Sequence, residues 1–479
     1  MTPDINWFVI YPEIIICITA ALVLVVDLIL PEKYKWVLAA ISFIGVIIAM
    51  QLVFRNFSRP GSAFFGMIVN DSAGSYFKTI FCLGTMLTIF LSVTYQRREF
   101  PRTGEFYTLI LLATFGMMVM ASAVDLIAIF VGLEMMSIPL YVLAGIYQNR
   151  YRSSEAAMKY FLLGAFASGF LLYGVAFIYG AFGTTNLNLI TALIASGKGY
   201  SVFYVAVGMI LVLIGLAFKA GAVPFHMWIP DVYEGAPAPA TAFMSAGPKA
   251  AAIIALLRIF VVNVPVIDLT NLFWILAVIT MTWGNILAIT QNNVKRMLAY
   301  SSIAHVGYIL IALAVGGEAG FSSAAFYLFA YTLMNIGAFA IIVLFAEREE
   351  FYENISDYAG FGSKFPFAAI TMTIFMASLG GIPGTIGFMG KFMIFKAAIQ
   401  NGFIWLAVIG VLNSVVSIYY YLRIVVTMYM RTGEERVAEI AISPSLMVAI
   451  IITIIGVVYI GIFPQQWLRM AAIAAASVF

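Results

Sequence analysis

The sequence predicts an all-α polytopic membrane protein of about fourteen transmembrane helices, and three observations carry that expectation. Charged residues make up 10% of the 479, against about 25% in a soluble domain, and apolar residues reach 63%. A soluble chain of this size needs far more Lys, Glu, Asp and Arg to cover its surface, so this one faces lipid. The apolar residues are gathered into long runs, and a bilayer core of about 30 Å needs roughly 20 of them as helix. Finally, Lys and Arg concentrate in every second connection between the runs.

Taken in order, the runs fall at about 7–30, 36–54, 73–95, 105–121, 124–147, 156–180, 202–226, 240–262, 269–290, 298–316, 322–346, 366–399, 403–430 and 444–468. The first follows Met-Thr-Pro-Asp, which lacks a basic stretch, and is long enough to remain as a span, so no signal peptide is expected. The longest polar connections (55–72, 347–364 and 431–443) are too short for an inserted soluble domain. The odd-numbered connections carry Lys33, Lys35, Arg97, Arg98, Arg102, Arg150, Arg152, Lys295, Arg296, Arg348, Lys364, Arg431 and Arg436. The even-numbered ones carry Arg55, Arg59 and Lys198 alone. Such a bias places the odd connections in the cytoplasm and both termini outside. It also supports the count, because a missed helix would scramble it.

Two runs are not simple spans. Residues 366–399 would make a helix about 50 Å long, well beyond the core thickness. The run contains Gly380-Gly381-Ile382-Pro383-Gly384, where a missing backbone donor and freely turning glycines favour unwinding. The seventh run carries the same punctuation in Lys219-Ala220-Gly221-Ala222-Val223-Pro224. One interrupted helix in each half points to inverted repeats around a midplane site. The expected organisation is a three-helix segment at 1–100, five-helix repeats at 101–265 (spans 4–8) and 266–432 (spans 9–13), and a last helix at 433–479. Two incidental proline kinks are the plainer alternative.

Charge near a bilayer centre is costly, so ionisable residues there are functional candidates. Glu134 lies near the middle of span 5, Lys219 deep in span 7, Lys249 mid-way along span 8, His305 in span 10, and Lys391 just past the break in span 12. One acid faces four bases, which cannot all be charged together in a low dielectric. Some of the lysines must spend time neutral, as proton-relay groups do. Pro139, five residues after Glu134, and Pro248, beside Lys249, free backbone carbonyls at the same depth, and a wet polar seam would satisfy both. Static buried ion pairs would be the structural reading of the same residues. Lys159 could snorkel to the cytoplasmic surface and His226 could be an interfacial hydrogen-bonder. Glu13, Asp27 and Arg258 read as residues of helix ends. Cys17 and Cys82 match no metal or redox spacing and read as small buried hydrophobes, and the net charge of +3 is no nucleic-acid footprint.

Three stretches resemble the antiporter-like membrane subunits of respiratory complex I, the proton-pumping NADH–quinone oxidoreductase. They are Gly132-Leu133-Glu134-Met135-Met136-Ser137, the long run from Phe218-Lys219-Ala220-Gly221 through Pro224-Phe225-His226-Met227-Trp228 to Glu234-Gly235-Ala236-Pro237, and Lys295-Arg296-Met297-Leu298-Ala299-Tyr300-Ser301-Ser302-Ile303-Ala304-His305. The resemblance covers nearly the whole chain. Lys391 in place of glutamate, and the absence of a long lateral helix after the last span, are similar to the N type within that family. The resemblance implies that Glu134 and Lys219 form an input ion pair, Lys249 a central relay, His305 its continuation and Lys391 its end. It also implies roles for Lys159 and His226. NADH, FMN, iron–sulfur clusters and quinone would then be held by other subunits, with no cofactor or metal in this chain. The sequence agrees in having no cysteine cluster and no Gly-rich nucleotide turn. The partners implied are the neighbouring antiporter-like and small membrane subunits, with lipid around them. A Na⁺(K⁺)/H⁺ antiporter subunit and a structural membrane scaffold are the rival readings.

Overall fold

A computed structural model describes residues 6–99, 103–147, 149–197, 199–263, 269–345, 353–432 and 443–479. Arg102, Lys198, Arg348 and Arg436, the side chains of Arg97 and Arg98, and the expected boundaries at 100/101, 265/266 and 432/433 lie outside the described residues. The helices in chain order are α1 Tyr11–Ile29, α2 Trp36–Asn56, α3 Ser72–Glu99, α4 Thr103–Ser122, α5 Leu126–Ala144, α6 Tyr151–Phe182, α7 Leu187–Ala195, α8 Val202–Ala220, α9 Trp228–Gly235 and α10 Ala238–Leu256. They continue as α11 Thr270–Thr290, α12 Val294–Val315, α13 Gly317–Phe345, α14 Phe361–Lys364, α15 Pro366–Gly380, α16 Ile386–Gln400, α17 Ile404–Met430, α18 Pro444–Ile462 and α19 Gln465–Ala476. Thirteen of the described helices are long and apolar enough to cross a membrane, and the broken pair α15–α16 makes a fourteenth.

The helices form concentric layers. The apolar stretches of α10 and α13 are completely buried, whereas only about a third of that of α6 is. The outward faces of α1, α2, α6, α17 and α18 carry Leu, Ile, Val, Phe and Tyr side chains into the surroundings. In lipid that arrangement is favourable, because the acyl chains are as apolar as those side chains. Small residues set the closest approaches. A Cβ on Gly307 would lie 2.4 Å from the Met281 backbone nitrogen, so α11 and α12 touch backbone to backbone. Five of the described elements were not expected from the sequence: the hairpin Gly61–Ala63 with Ile68–Asn70, the short helices α7, α9 and α14, and α19. The last is too polar for a span, with Gln465, Gln466 and Arg469, and it docks by stacking Trp467 on Phe329 at 4.6 Å.

Both expected breaks are present and are built alike. α8 ends at Gly221 with φ +88° and α15 at Gly381 with φ +85°. In each, the amide one residue later closes a six-residue ring, Ala222 N to Ala217 O and Ile382 N to Ala377 O, both at 2.9 Å. This is the Schellman cap, which satisfies carbonyls that would otherwise be orphaned at membrane depth.

Candidate functional site: a row of buried lysines along broken helices

The site begins at the edge of the bundle. Glu134 sits on the partly exposed side of α5, between the outward-facing Val131 and Ile138, and its Oε1 accepts a hydrogen bond from the Ser168 hydroxyl on α6. Two turns along α5, the Tyr141 hydroxyl accepts from Lys219 Nζ at 3.0 Å. The Lys219 ammonium also lies 4.7 Å from the centre of the Tyr141 ring and 4.9 Å from that of Tyr160. Aromatic faces are a desolvated substitute for water around a cation. Among the described residues Glu134 and Lys219 form no direct ion pair; each is held by a neutral hydroxyl instead.

Lys249 stands on α10 with its Nζ at the αL glycine of the first break, 3.6 Å from where a Gly221 Cβ would be. It donates to Ser302 Oγ at 2.7 Å. Ser302 and His305 share one face of α12 a turn apart, as i, i+3 spacing requires. His305 is buried between two tyrosines, with Nδ1 2.5 Å from the Tyr327 hydroxyl and Nε2 3.0 Å from that of Tyr421. One turn further on, the Tyr308 ring lies under Lys391 Nζ at 4.9 Å. Lys391 reaches back from α16 to the end of α15, donating to Leu379 O and Gly380 O at 3.0 Å and to Ser414 Oγ at 2.8 Å. The second break thus offers its lysine the negative end of a helix dipole. α12 is the spine of the row, presenting Ser301, Ser302, His305 and Tyr308 between the two breaks. Lys219, Lys249, His305 and Lys391 are each at most 4% exposed, and their recorded partners are neutral.

Lys159 and His226 lie away from this row. Lys159 is half-exposed and pairs with Glu155 at 2.7 Å and Asp231 at 2.6 Å. It belongs to a charged cluster in which Arg296 contacts Asp231 at 2.7 Å and Glu234 at 2.9 Å, and Arg152 contacts Glu353 at 3.1 Å. Partial burial pushes the Asp231 carboxyl upward, but the hydrogen bonds from Lys159 and Arg296 outweigh it and hold it below the ordinary carboxylate range. His226 is buried in the turn between α8 and α9, and its Nδ1 has no hydrogen-bond partner among the described residues.

The structure corrects several sequence expectations. Glu13 does lie at a helix end, in the first turn of α1, but it is only 3% exposed and contacts the buried Lys78 at 2.7 Å, an ion pair that the sequence reading did not expect. Arg258 is buried and paired with Asp71 at 2.8 Å. Lys295, which read as a loop charge, is 4% exposed and donates to Glu234 O and Ala236 O. Cys17 is exposed on α1, and Cys82 alone is buried. Sequence reading missed Lys78 altogether, although a lysine at the sixth position of the apolar run 73–95 was a usable signal.

Residues 123–417 match the model of the NADH:quinone oxidoreductase/Mrp antiporter transmembrane family. The chain belongs to that family. NADH-quinone oxidoreductase subunit N of Trichlorobacter lovleyi is 49% identical over 469 residues, 98% of this chain and 96% of the relative. A chain in the structure of respiratory complex I from Thermus thermophilus with bound aureothin is similar with a TM-score of 0.82 at 32% identity, covering 96% of this chain and 99% of its own. A chain of the Mrp complex from Dietzia sp. DQ12-45-1b reaches a TM-score of 0.83 over 100% of this chain and 98% of its own, but at 22% identity it shows the shared fold alone.

Proposed function

We propose that this chain is a proton-translocating membrane subunit of an NADH–quinone oxidoreductase, with electron transfer confined to partner subunits. The carrying observation is the row of buried bases, each held by neutral hydroxyls, rings or carbonyls. A lysine locked to a carboxylate stays charged, whereas one resting on neutral groups can lose its proton without stranding a countercharge. Family membership and the 49% identity to a subunit N support the same reading. Quinone reduction elsewhere brings Glu134 and Lys219, each resting here on a neutral hydroxyl, into or out of an ion pair, which alters the proton affinity of Lys249. The proton then passes by Ser302, His305 and its tyrosines to Lys391. Lys159 and His226 stand apart from the row, near α9, and in this reading serve proton entry from that side. The chain holds no flavin, cluster or nicotinamide in this reading and works beside antiporter-like and small membrane subunits. It sits in a bacterial inner membrane with the odd-numbered loops cytoplasmic. The two five-helix halves, 101–265 and 266–432, are taken as inverted repeats, a reading supported by the matching caps at the two breaks.

The test is Lys249→Arg in the assembled complex, with proton translocation and NADH oxidation read together. Arginine keeps the charge but stays protonated in proteins, so it replaces a fixed cation far better than a relay. Pumping is expected to collapse and oxidation to slow with it. Full pumping would make Lys249 a static charge and the chain, at this position, a scaffold. Co-purification with a peripheral NADH-oxidising arm separates this reading from a free-standing cation/proton antiporter.

A further inference from the structure

The row described above leaves one buried titratable pair unused. Glu13, in the first turn of α1, and Lys78, in the second turn of α3, meet at 2.7 Å with side chains 4% and 1% exposed. A buried pair repays its desolvation only when further hydrogen bonds satisfy its remaining valences. This pair lacks them. Glu13 Oε1 receives one long bond from Ser122 Oγ at 3.4 Å, Glu13 Oε2 has no partner, and Lys78 Nζ has no hydrogen bond beyond that ion contact, among the described residues. One turn outward, Arg258 and Asp71 make the opposite kind of pair. The guanidinium bonds Asp71 Oδ1 at 2.8 Å and Ala121 O at 3.0 Å, and arginine does not give up its proton.

Lys78 stands in a polar stripe that runs the length of α3. Asp71, Ser75, Lys78, Cys82, Thr85, Thr88, Ser92 and Tyr95 follow one another at three- or four-residue steps, which places neighbours about 5–6 Å apart on one winding face. From Ser75 inward every one is buried. α4 runs antiparallel to α3 and answers the stripe with hydroxyls: Thr114 meets Thr85 at 2.7 Å and Tyr107 meets Ser92 at 3.2 Å. At the far end Tyr147 donates to Tyr95 at 2.8 Å. Hydroxyls between membrane helices can serve packing and interhelical hydrogen bonds, as Thr85–Thr114 does, but here the same face also carries an unsatisfied buried acid–base pair. Most here bond their own helix backbone, as Thr85 does to Phe81 O and Thr88 to Gly84 O at 2.8 Å, and so remain free to rotate toward a neighbour or a water.

We propose that the α3–α4 seam is a second proton path of this subunit, distinct from the lysine row, with Glu13 and Lys78 as its exchanging pair. At the pair, a proton arriving from the Asp71 side binds Glu13 Oε1, Lys78 Nζ gives its own proton on along the stripe, and Glu13 then passes the new proton to the Lys78 amine. That last step restores both charges. Single waters bridge successive polar groups of the stripe, with the Cys82 thiol standing between Lys78 and Thr85, each step spanning about one helical turn. Arg258 stays fixed at the mouth and keeps its charge beside Asp71. The path is closed where Thr85 and Thr114 bond each other, and opening it takes only a rotation of the two hydroxyls.

This inference rests on the proton-translocating reading, and the experiment separates the two. The reconstituted complex is compared with three changes: Thr85→Val together with Thr114→Val, Glu13→Gln together with Lys78→Met, and Lys249→Arg alone. The valine pair keeps shape and deletes only hydroxyls, and the second pair removes both charges, so neither strands a buried ion. The reading is protons moved per NADH oxidised. A fall in that ratio in the valine pair, with NADH oxidation retained, is the expected result, and the charge-free pair should fall with it. An unchanged ratio in the valine pair overturns the seam and leaves Glu13–Lys78 as a clamp between α1 and α3. Loss in Lys249→Arg with an unchanged valine pair defeats this inference alone, whereas full pumping in Lys249→Arg defeats the reading beneath it.

Discussion

At the scale of single residues, the two ends of the lysine row differ in what they can tolerate. Lys391 Nζ faces two carbonyl oxygens at the end of α15 and one hydroxyl, so its surroundings offer acceptors. A helix C-terminus favours a cation by about 0.3–1 kcal/mol at the surface and by more when partly buried. Lys391→Gln keeps donors for both carbonyls, while Lys391→Glu turns a carboxylate on to them. The assembled complex should therefore lose thermal stability in the order Lys391→Glu more than Lys391→Gln, with the glutamate change costing roughly 3 kcal/mol or more. Equal melting temperatures for the two variants would mean that Lys391 does not use those carbonyls. Lys219 has no such anchor. Its ammonium rests on Tyr141 and Tyr160, and it is the base that a shift of Glu134 can most readily recapture.

At the scale of elements, the breaks carry constraints that a sequence displays openly. Gly221 needs φ +88°, and a Cβ there would meet Ile229 Cδ1 at 2.3 Å. Gly387 is tighter, since its Cβ would fall 1.9 Å from Ser378 O, a backbone atom that cannot step aside. Gly387→Ala should push α16 off α15 and lower assembly of the complex more than Gly384→Ala, because a Cβ on Gly384 meets no atom and costs only the strain of its φ of +88°. Comparable assembly of the two on a native gel would refute that ranking. These glycines and prolines made the breaks legible, and run length with loop charge made the spans legible. The bases of the row were legible too, because a charge inside an apolar run has few innocent explanations. Their partners were not. Glu13 and Lys78 are 65 positions apart, so nothing local records their pairing, and Glu13 taken alone fits a helix end. Lys295 failed for the same reason, being covered by carbonyls of a segment some sixty residues earlier. The neutral settings of Lys219 and Lys249 depend on Tyr141 and Ser302, residue types too common in such spans to stand out.

At the scale of the whole molecule, the charged cluster around Asp231 joins parts that the lysine row does not. Lys159 comes from α6, Asp231 and Glu234 from α9, Arg296 from α12, and Glu353 from the connection beyond α13. It ties the segment after the first break to the spine helix α12, so the turn that holds Gly221 and His226 is pinned from one side. Each pair is partly exposed and is worth about 0.2–1 kcal/mol, hence the two that meet at Asp231 contribute on the order of 1 kcal/mol. Because the folded Asp231 carboxyl lies below its ordinary range, its contribution is complete above that range and is lost as pH falls through it. Wild type should therefore melt above Asp231→Asn at neutral pH, and the two curves should converge as the pH drops below about 4, where the free carboxyl protonates. High salt should narrow the gap as well, since exposed charges are screened within about 10 Å at 0.1 M ionic strength. Thermal denaturation of the assembled complex across that pH range, with and without added salt, measures both effects. A gap that persists unchanged into acid would mean that Asp231 acts through packing, not charge, and that the pin on the first break is not electrostatic.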